Sequence, residues 1–369
     1  MVTSSFYMKD YPEWVEAWNA KGVPASYANT SWELLAEPST YLFGNADDMA
    51  WEVDFPGFGR TFPHPYGPAD GKYFTTLLTL APAGDEIILD FAKTLISAEK
   101  IGADEVTDYL SISFSSTDYV GHFFGPSSLE SEDNLHRLDR TLADLLAYVD
   151  KTVGLDRTLI VLSADHGASE VPGYLNSLGI GGSYFKFDDV DKSEAIAALK
   201  KEFGVSKELV DKFFQPYLYL NRETIAQRNL DIAKVSRRVA EELSKFPGVA
   251  FAVSSHDLRA GAVARTPVTE AVLANFHEDR SGDIYIVFEP HWFVADFDGK
   301  SVAGSHGSPW PYDSHVPVIW MGPDIERGRV ERRVATVDVA PTIAAYLRVR
   351  PPSGSRGRVM EEVTTSADD

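Results

Sequence analysis

Residues 158–167, TLIVLSADHG, constrain this chain more than any other stretch. Their first part is an almost unbroken apolar run. A strand buried on both faces of a parallel sheet reads that way, and here it empties into a polar loop. Residues 109–116, YLSISFSS, alternate apolar and polar and end in a polar turn, so they read as a second strand. Between the two, 132–150 places apolar side chains at helical spacing. Strand, helix and strand in that order form a βαβ unit, whose crossover implies a parallel sheet. The expected fold class is therefore α/β, a mainly parallel sheet sandwiched by helices.

The remaining segments fill out this frame. Residues 85–100 read as a helix with acids first and Lys100 last, an order that suits the helix dipole. Residues 40–75, rich in Pro, Gly and aromatics, read as a long loop packed by its own rings. After Gly173 the pattern changes. Residues 193–203 and 223–246 read as helices, the second stopping at Pro247-Gly248, and 249–255 and 282–290 read as strands. A strand at 315–323 and a final helix at 337–347 follow, the helix opened by Thr336 or Asp338 with Pro341 in its first turn. The expected division is an α/β core from 1–171 and 296–350, an inserted α+β cap from 172–295, and a loose tail from 351–369.

Sites in open α/β sheets form at the carboxyl ends of strands. Asp118 and His122 follow the first strand and lie four apart, so one helical turn puts both on one face. Asp165 and His166 follow the second strand directly, and His306 sits in the glycine-flanked loop GSHGS. Singly these pairs are unspecific, since an Asp-His dipeptide arises by chance about once in several hundred residues. Together they place three Asp/His clusters at strand ends or glycine-rich turns. The chain has no cysteine, which excludes disulfides, thiolate metal sites and cysteine catalysis. Carboxylate plus imidazole is then the ligand set for zinc or a similar hydrolytic metal.

Charge narrows the substrate and partners. A net charge of -21 repels polyanions, so neither nucleic acid nor an anionic membrane is an expected partner. A phosphate ester would meet the same repulsion unless bound divalent cations reversed the field locally. No stretch approaches the roughly 20 apolar residues that span a bilayer. Met1 to Tyr7 lack the basic and apolar regions of a signal peptide.

TDYVGHFFGP, LSADHG and GSHGSPWPYDSHVPVIW resemble the alkaline phosphatase superfamily, most closely its phosphate-irrepressible bacterial alkaline phosphatases, a group related to the type I phosphodiesterases and nucleotide pyrophosphatases. The likeness runs from VTSSFYMKDYPEW through GRTFPHP to PPSGSRGR. It implies two zinc ions roughly 4 Å apart. It also implies that Asp118, His122 and His306 hold one metal while Asp165 and His166 hold the other. In the family an aspartate ending the first strand and a threonine nucleophile complete the second metal. The threonine forms a phospho-enzyme that water on the first metal hydrolyses. Those two residues, and the Lys and Arg that contact phosphate, are expected upstream of Met1, so the chain reads as lacking the family's N-terminal portion. Thr61 is the only tempting substitute nucleophile, but its loop resembles a segment downstream of the nucleophile.

The resemblance implies a small phosphate-ester substrate and a periplasmic or secreted location; oligomeric state is left open. Phosphate monoester hydrolysis is the first functional reading. Phosphodiester or nucleotide pyrophosphate hydrolysis on the same metals is the second. A metal-binding fragment without a nucleophile is the third, and the isolated chain is expected to hydrolyse phosphate esters poorly or not at all. Among the other candidates, His64 and Arg60 read as structural, His136 as a solvated helix face, and His291 as packing. His256 and His277 have no ligand partners at useful spacing. His315 and Asp313 lie near the chemistry, and Glu130 and Asp133 are placed to support His122 from behind.

Overall fold

The computed structural model describes residues 1–187, 190–294, 296–297 and 300–364. The strand after which the second loop follows is Ile160–Ser163, and its neighbour is Val318–Met321. The pair is antiparallel, with Val318 opposite Ser163 and Met321 opposite Ile160. It is also less buried than an apolar run suggests, with Leu162, Ile319 and Met321 exposed. The strand expected at 109–116 is not formed. Leu110, Ile112 and Phe114 are half-buried and the serines between them face solvent, as the alternation implies. A strand, however, exists only through its ladder, and 107–114 makes no backbone hydrogen bonds among the described residues. The crossover inferred from that strand is therefore absent from the described ladders. The one parallel ladder among them joins Ser183–Tyr184 to Trp292–Phe293.

Three helices carry the first half of the molecule. Ala83–Ala98 and Leu129–Thr152 pack together, and Ser116–Phe124 packs on both. Ser128 caps the long helix by accepting the Ser131 backbone N–H at 3.1 Å. The Pro- and aromatic-rich loop folds over these helices, and Trp32, Phe58, Tyr66 and Phe74 form one core with Leu77, Val120 and Phe124. Among the described residues, no helix is long and apolar enough to cross a membrane.

Acidic groups from the long helix pin the loop. Asp133 is fully buried and accepts from the Trp32 indole at 2.7 Å, the Leu35 N–H at 2.8 Å, the Tyr41 hydroxyl at 2.6 Å and Arg137 Nε at 2.8 Å. Glu130, one turn earlier, faces His64 instead of His122: the two side chains are fully buried and 3.3 Å apart. His64 Nδ1 lies 3.2 Å from the Phe58 carbonyl, which can only accept, so Nδ1 carries the proton. Burial holds the imidazole neutral by pushing its pKa down to about 4. Nε2 is then an acceptor, and only a protonated Glu130 can donate to it. Burial raises the Glu130 carboxyl well above the usual range, as this requires. Burial pushes buried Glu52 up to about 9.

The second half is built on a four-stranded antiparallel sheet in the order Val210–Phe214, Tyr217–Leu220, Ile284–Phe288, Val249–Ser254. Helices Glu194–Glu202 and Ile232–Leu243 supply Ile196, Leu199, Val235, Val239 and Leu243 to one core of this half. The helix expected over 223–246 is two helices. Asn229 turns to φ 50, and Asp231 starts the second helix by accepting the Ala233 N–H at 2.9 Å. A short polar side chain that tolerates the left-handed region, followed by a capping acid, overrides the helical spacing. The sheet is tied to the rest through Trp310, whose indole donates to the Phe288 carbonyl at 3.0 Å, and through the His291 N–H, which donates to the Tyr312 hydroxyl at 3.0 Å.

The buried acids make stability depend on pH. A carboxyl whose pKa rises on folding takes up a proton, so its contribution is full below about 4.5 and is lost as pH rises towards about 9. Denaturant titrations should show stability falling across that window, and Glu52→Gln should flatten the fall; an unchanged slope would contradict the assignment. Glu130→Gln keeps a donor for His64 and should fold near parental stability. Glu130→Ala leaves a buried nitrogen unpaired and should cost about 1–3 kcal/mol.

Candidate metal centre

Ser116–Phe124 is a helix, so Asp118 and His122 share a face, with His122 Nε2 3.4 Å from Asp118 Oδ1. The helix start is held by buried Asp85 of the neighbouring helix, which accepts the Ser116 N–H at 3.1 Å. Negative charge is favourable at that end. The helix closes at Gly125, at φ 93, where a Cβ would meet Val171 Cγ2 at 2.4 Å.

His122 is gripped by the glycine-flanked loop. The Ala303 N–H donates to the His122 carbonyl at 2.8 Å, and His122 Nδ1 lies 2.9 Å from the Gly304 carbonyl. Only glycine fits at 304, since a Cβ would stand 2.7 Å from the Gly121 carbonyl oxygen. This approach brings His306 Nε2 to 3.5 Å from the same Asp118 Oδ1. One ligand atom each from Asp118, His122 and His306 lies within 4.8 Å of the others.

The loop after Ile160–Ser163 meets this group from the other side. The His166 ring stacks on His306 with centroids 3.5 Å apart and planes at 11°. His166 Nδ1 lies 2.9 Å from the Gly167 carbonyl, and its Nε2 lies 3.5 Å from Asp165 Oδ2. The Asp165 side chain is 88% exposed against 36% for Asp118, so the group opens to solvent on the Asp165 side.

The tautomers follow from the carbonyls. Gly304 and Gly167 oxygens accept only, so Nδ1 of His122 and of His166 carries a proton, and Nε2 is the nitrogen left to ligate. A histidine that ligates a metal characteristically spends its other N–H in this way. Burial, and next the neighbouring His166, push the His306 pKa down to about 4, which keeps its imidazole neutral. Asp118 acts in the opposite direction.

The five residues singled out from the sequence therefore meet in one place. Others lie elsewhere. Arg60 pairs with Asp48 at 3.0 Å, Thr61 is exposed in the aromatic loop, His315 is exposed, and His291 stacks on Tyr312. Asp313 is 3% exposed and sits behind the loops. Two contributors carry no sequence signal of their own. Asp85 reads as an ordinary acid in a helix first turn. Gln215 lies at the tip of a hairpin in the second half, yet its Nε2 donates to the His306 carbonyl at 3.1 Å.

Comparison with known proteins identifies the family and the fold. The family described as Type I phosphodiesterase / nucleotide pyrophosphatase matches residues 8–309. A protein of Myroides odoratus named calcium-transporting ATPase is 35% identical over 98% of this chain and 66% of its own length. Alkaline phosphatase PhoV of Synechococcus elongatus is 34% identical over 98% of this chain and 64% of its own length. The chain thus spans about two thirds of the length of these relatives. The crystal structure of wild-type alkaline phosphatase PafA superposes with a TM-score of 0.89 at 33% identity, covering 98% of this chain and 68% of that one. Murine ectonucleotide pyrophosphatase / phosphodiesterase 5 shares the fold at a TM-score of 0.51 and 14% identity, over 72% of this chain and 61% of its own. The chain has the alkaline phosphatase-like α/β fold and belongs to the type I phosphodiesterase / nucleotide pyrophosphatase family of the alkaline phosphatase superfamily.

Proposed function

We propose that Asp118, His122 and His306 hold one zinc ion, that Asp165 and His166 contribute to a second beside it, and that the pair serves hydrolysis of phosphate monoesters. One observation carries the reading: three donor atoms converge within 4.8 Å while the far nitrogens of His122 and His166 are spent on backbone carbonyls. Nitrogen and oxygen donors in this set suit zinc. When bound, the metals would supply charge neutralisation for the transferring phosphoryl group and a lowered pKa for an attacking oxygen. The protein's own part is to hold the Nε2 lone pairs and the Asp118 carboxylate in register, and to leave the Asp165 side open for a small phosphate ester. That substrate fits a chain of net charge -21 only because the cations offset the repulsion. The monoester preference is supported by the alkaline phosphatases among the relatives. Export to the periplasm or beyond belongs to the same reading. The family match favours a second reading, cleavage of phosphodiesters on the same metals.

Equilibrium dialysis against Zn²⁺ with elemental analysis tests the metal reading. The parent chain should retain zinc at micromolar free concentration. Asp118→Ala and His306→Ala should each weaken retention by more than the about 10–100-fold typical of outer partners. A parent that retains none would overturn the reading. The zinc-loaded protein is then offered p-nitrophenyl phosphate and bis(p-nitrophenyl) phosphate. Faster monoester cleavage supports the phosphatase, and faster diester cleavage supports the phosphodiesterase. Zinc retention without cleavage of either identifies a metal-holding chain that lacks its nucleophile.

A further inference from the structure

We propose that Asp313 is a positioning residue for the metal group, setting the separation between the loop that carries His166 and the loop that carries His306. This rests on the metal reading above. Asp313 lies in the short helix Pro311–Ser314 and touches none of the ligand side chains through a hydrogen bond. Its carboxylate Oδ2 accepts the Ser308 N–H at 2.7 Å, two residues beyond His306. Its backbone carbonyl accepts the Gly167 N–H at 2.7 Å, one residue beyond His166. One residue thus grips both loops. A second bond runs alongside, from the Ser169 N–H to the Ser305 carbonyl at 2.9 Å. The approach is close enough that a Cβ at Gly167 would stand 2.0 Å from the Tyr312 carbonyl oxygen.

His306 needs this grip more than the other two histidines. His122 and His166 each have Nδ1 fixed by a carbonyl. Among the described residues His306 Nδ1 has no hydrogen-bond partner, so its ring is oriented by its backbone, by the stack on His166 and by its contacts with His122 and Asp118. That backbone is held by Gln215 at the carbonyl of His306 and by Asp313 at the N–H of Ser308. Asp313 is also a poor choice for stability alone. Among the described residues its Oδ1 is buried without a partner, a cost of roughly 1–3 kcal/mol. Such local costs persist where the surrounding geometry serves a site.

Titration of the full chain with Co²⁺, followed by its d–d absorption, tests the proposal, with thermal unfolding of each metal-free variant as a control. Asp313→Ala should weaken Co²⁺ binding about 10–100-fold and move the absorption bands, as loss of an outer partner does. Asp313→Asn keeps an oxygen for the Ser308 N–H and should restore affinity and spectrum close to the parent. Gly167→Ala, which pushes the loops apart without touching a carboxylate, should weaken binding in the same direction. Parental affinity and spectrum in folded Asp313→Ala would overturn the proposal. If Asp313→Ala does not fold, Asp313→Leu, which keeps the volume but offers no acceptor to the Ser308 N–H, decides it: weakened binding supports the proposal and parental binding overturns it. A parent chain that binds no Co²⁺ would instead overturn the metal reading, a result distinct from equal binding by parent and variants.

Discussion

The Asp/His group leans on one kind of bond, the imidazole Nδ1–H that His122 and His166 each give to a backbone carbonyl. At His122 the carbonyl belongs to Gly304, 182 residues away in sequence, so the bond that fixes a tautomer also fixes the tertiary approach of two distant segments. The Ala303 and Gly304 N–H groups return bonds to the His122 carbonyl, and the absence of a Cβ at 304 lets the backbones meet. At His166 the same bond is local, made to Gly167. The group is therefore assembled by backbone geometry, which aims the His122 and His166 side chains through the fold itself. Such preorganisation is what a metal site requires if binding is not to be spent on ordering its own ligands.

Much of this was legible in the sequence because it is local. Helical spacing four apart predicts that Asp118 and His122 share a face, and they do. The apolar run before Asp165 marks a strand, and the helices Ala83–Ala98 and Leu129–Thr152 fall where their apolar faces predict. What was not legible is set by partners. The alternation at 109–116 reads as a strand, but pairing is a property of neighbours, and among the described residues none forms a ladder with it. The antiparallel sense of the ladder from Val318–Met321 to Ile160–Ser163 likewise cannot be read from either strand alone. The helix break at Asn229 could have been read from its Asn-Leu-Asp sequence, since αL tolerance and a capping acid are local signals.

Glu130 and Asp133 show the same limit in charge. Both are acids on one face of one helix, and both are fully buried. Asp133 meets four donors, including the Arg137 guanidinium, while Glu130 meets a neutral imidazole and must itself donate. Opposite roles for identical chemistry arise from which loop residues fold over each position. Likewise the hairpin that reaches His306 through Gln215 belongs to a sheet whose core is separate from that of the first half. Its part in the site comes from placement, which no single residue type announces.

The unladdered stretch from 107 to 114 has a colloidal consequence. Backbone that makes no ladder among the described residues is open to pairing with another chain, and the outer face of the exposed ribbon adds Leu162, Ile319 and Met321. What keeps copies apart is long-range repulsion from a net charge of -21. That repulsion fades once the Debye length shrinks to about 3 Å near 1 M salt, whereas strand pairing and apolar contact do not fade with it. Concentrated salt therefore weakens the repulsion between copies while leaving the apolar contact and the unpaired backbone unchanged.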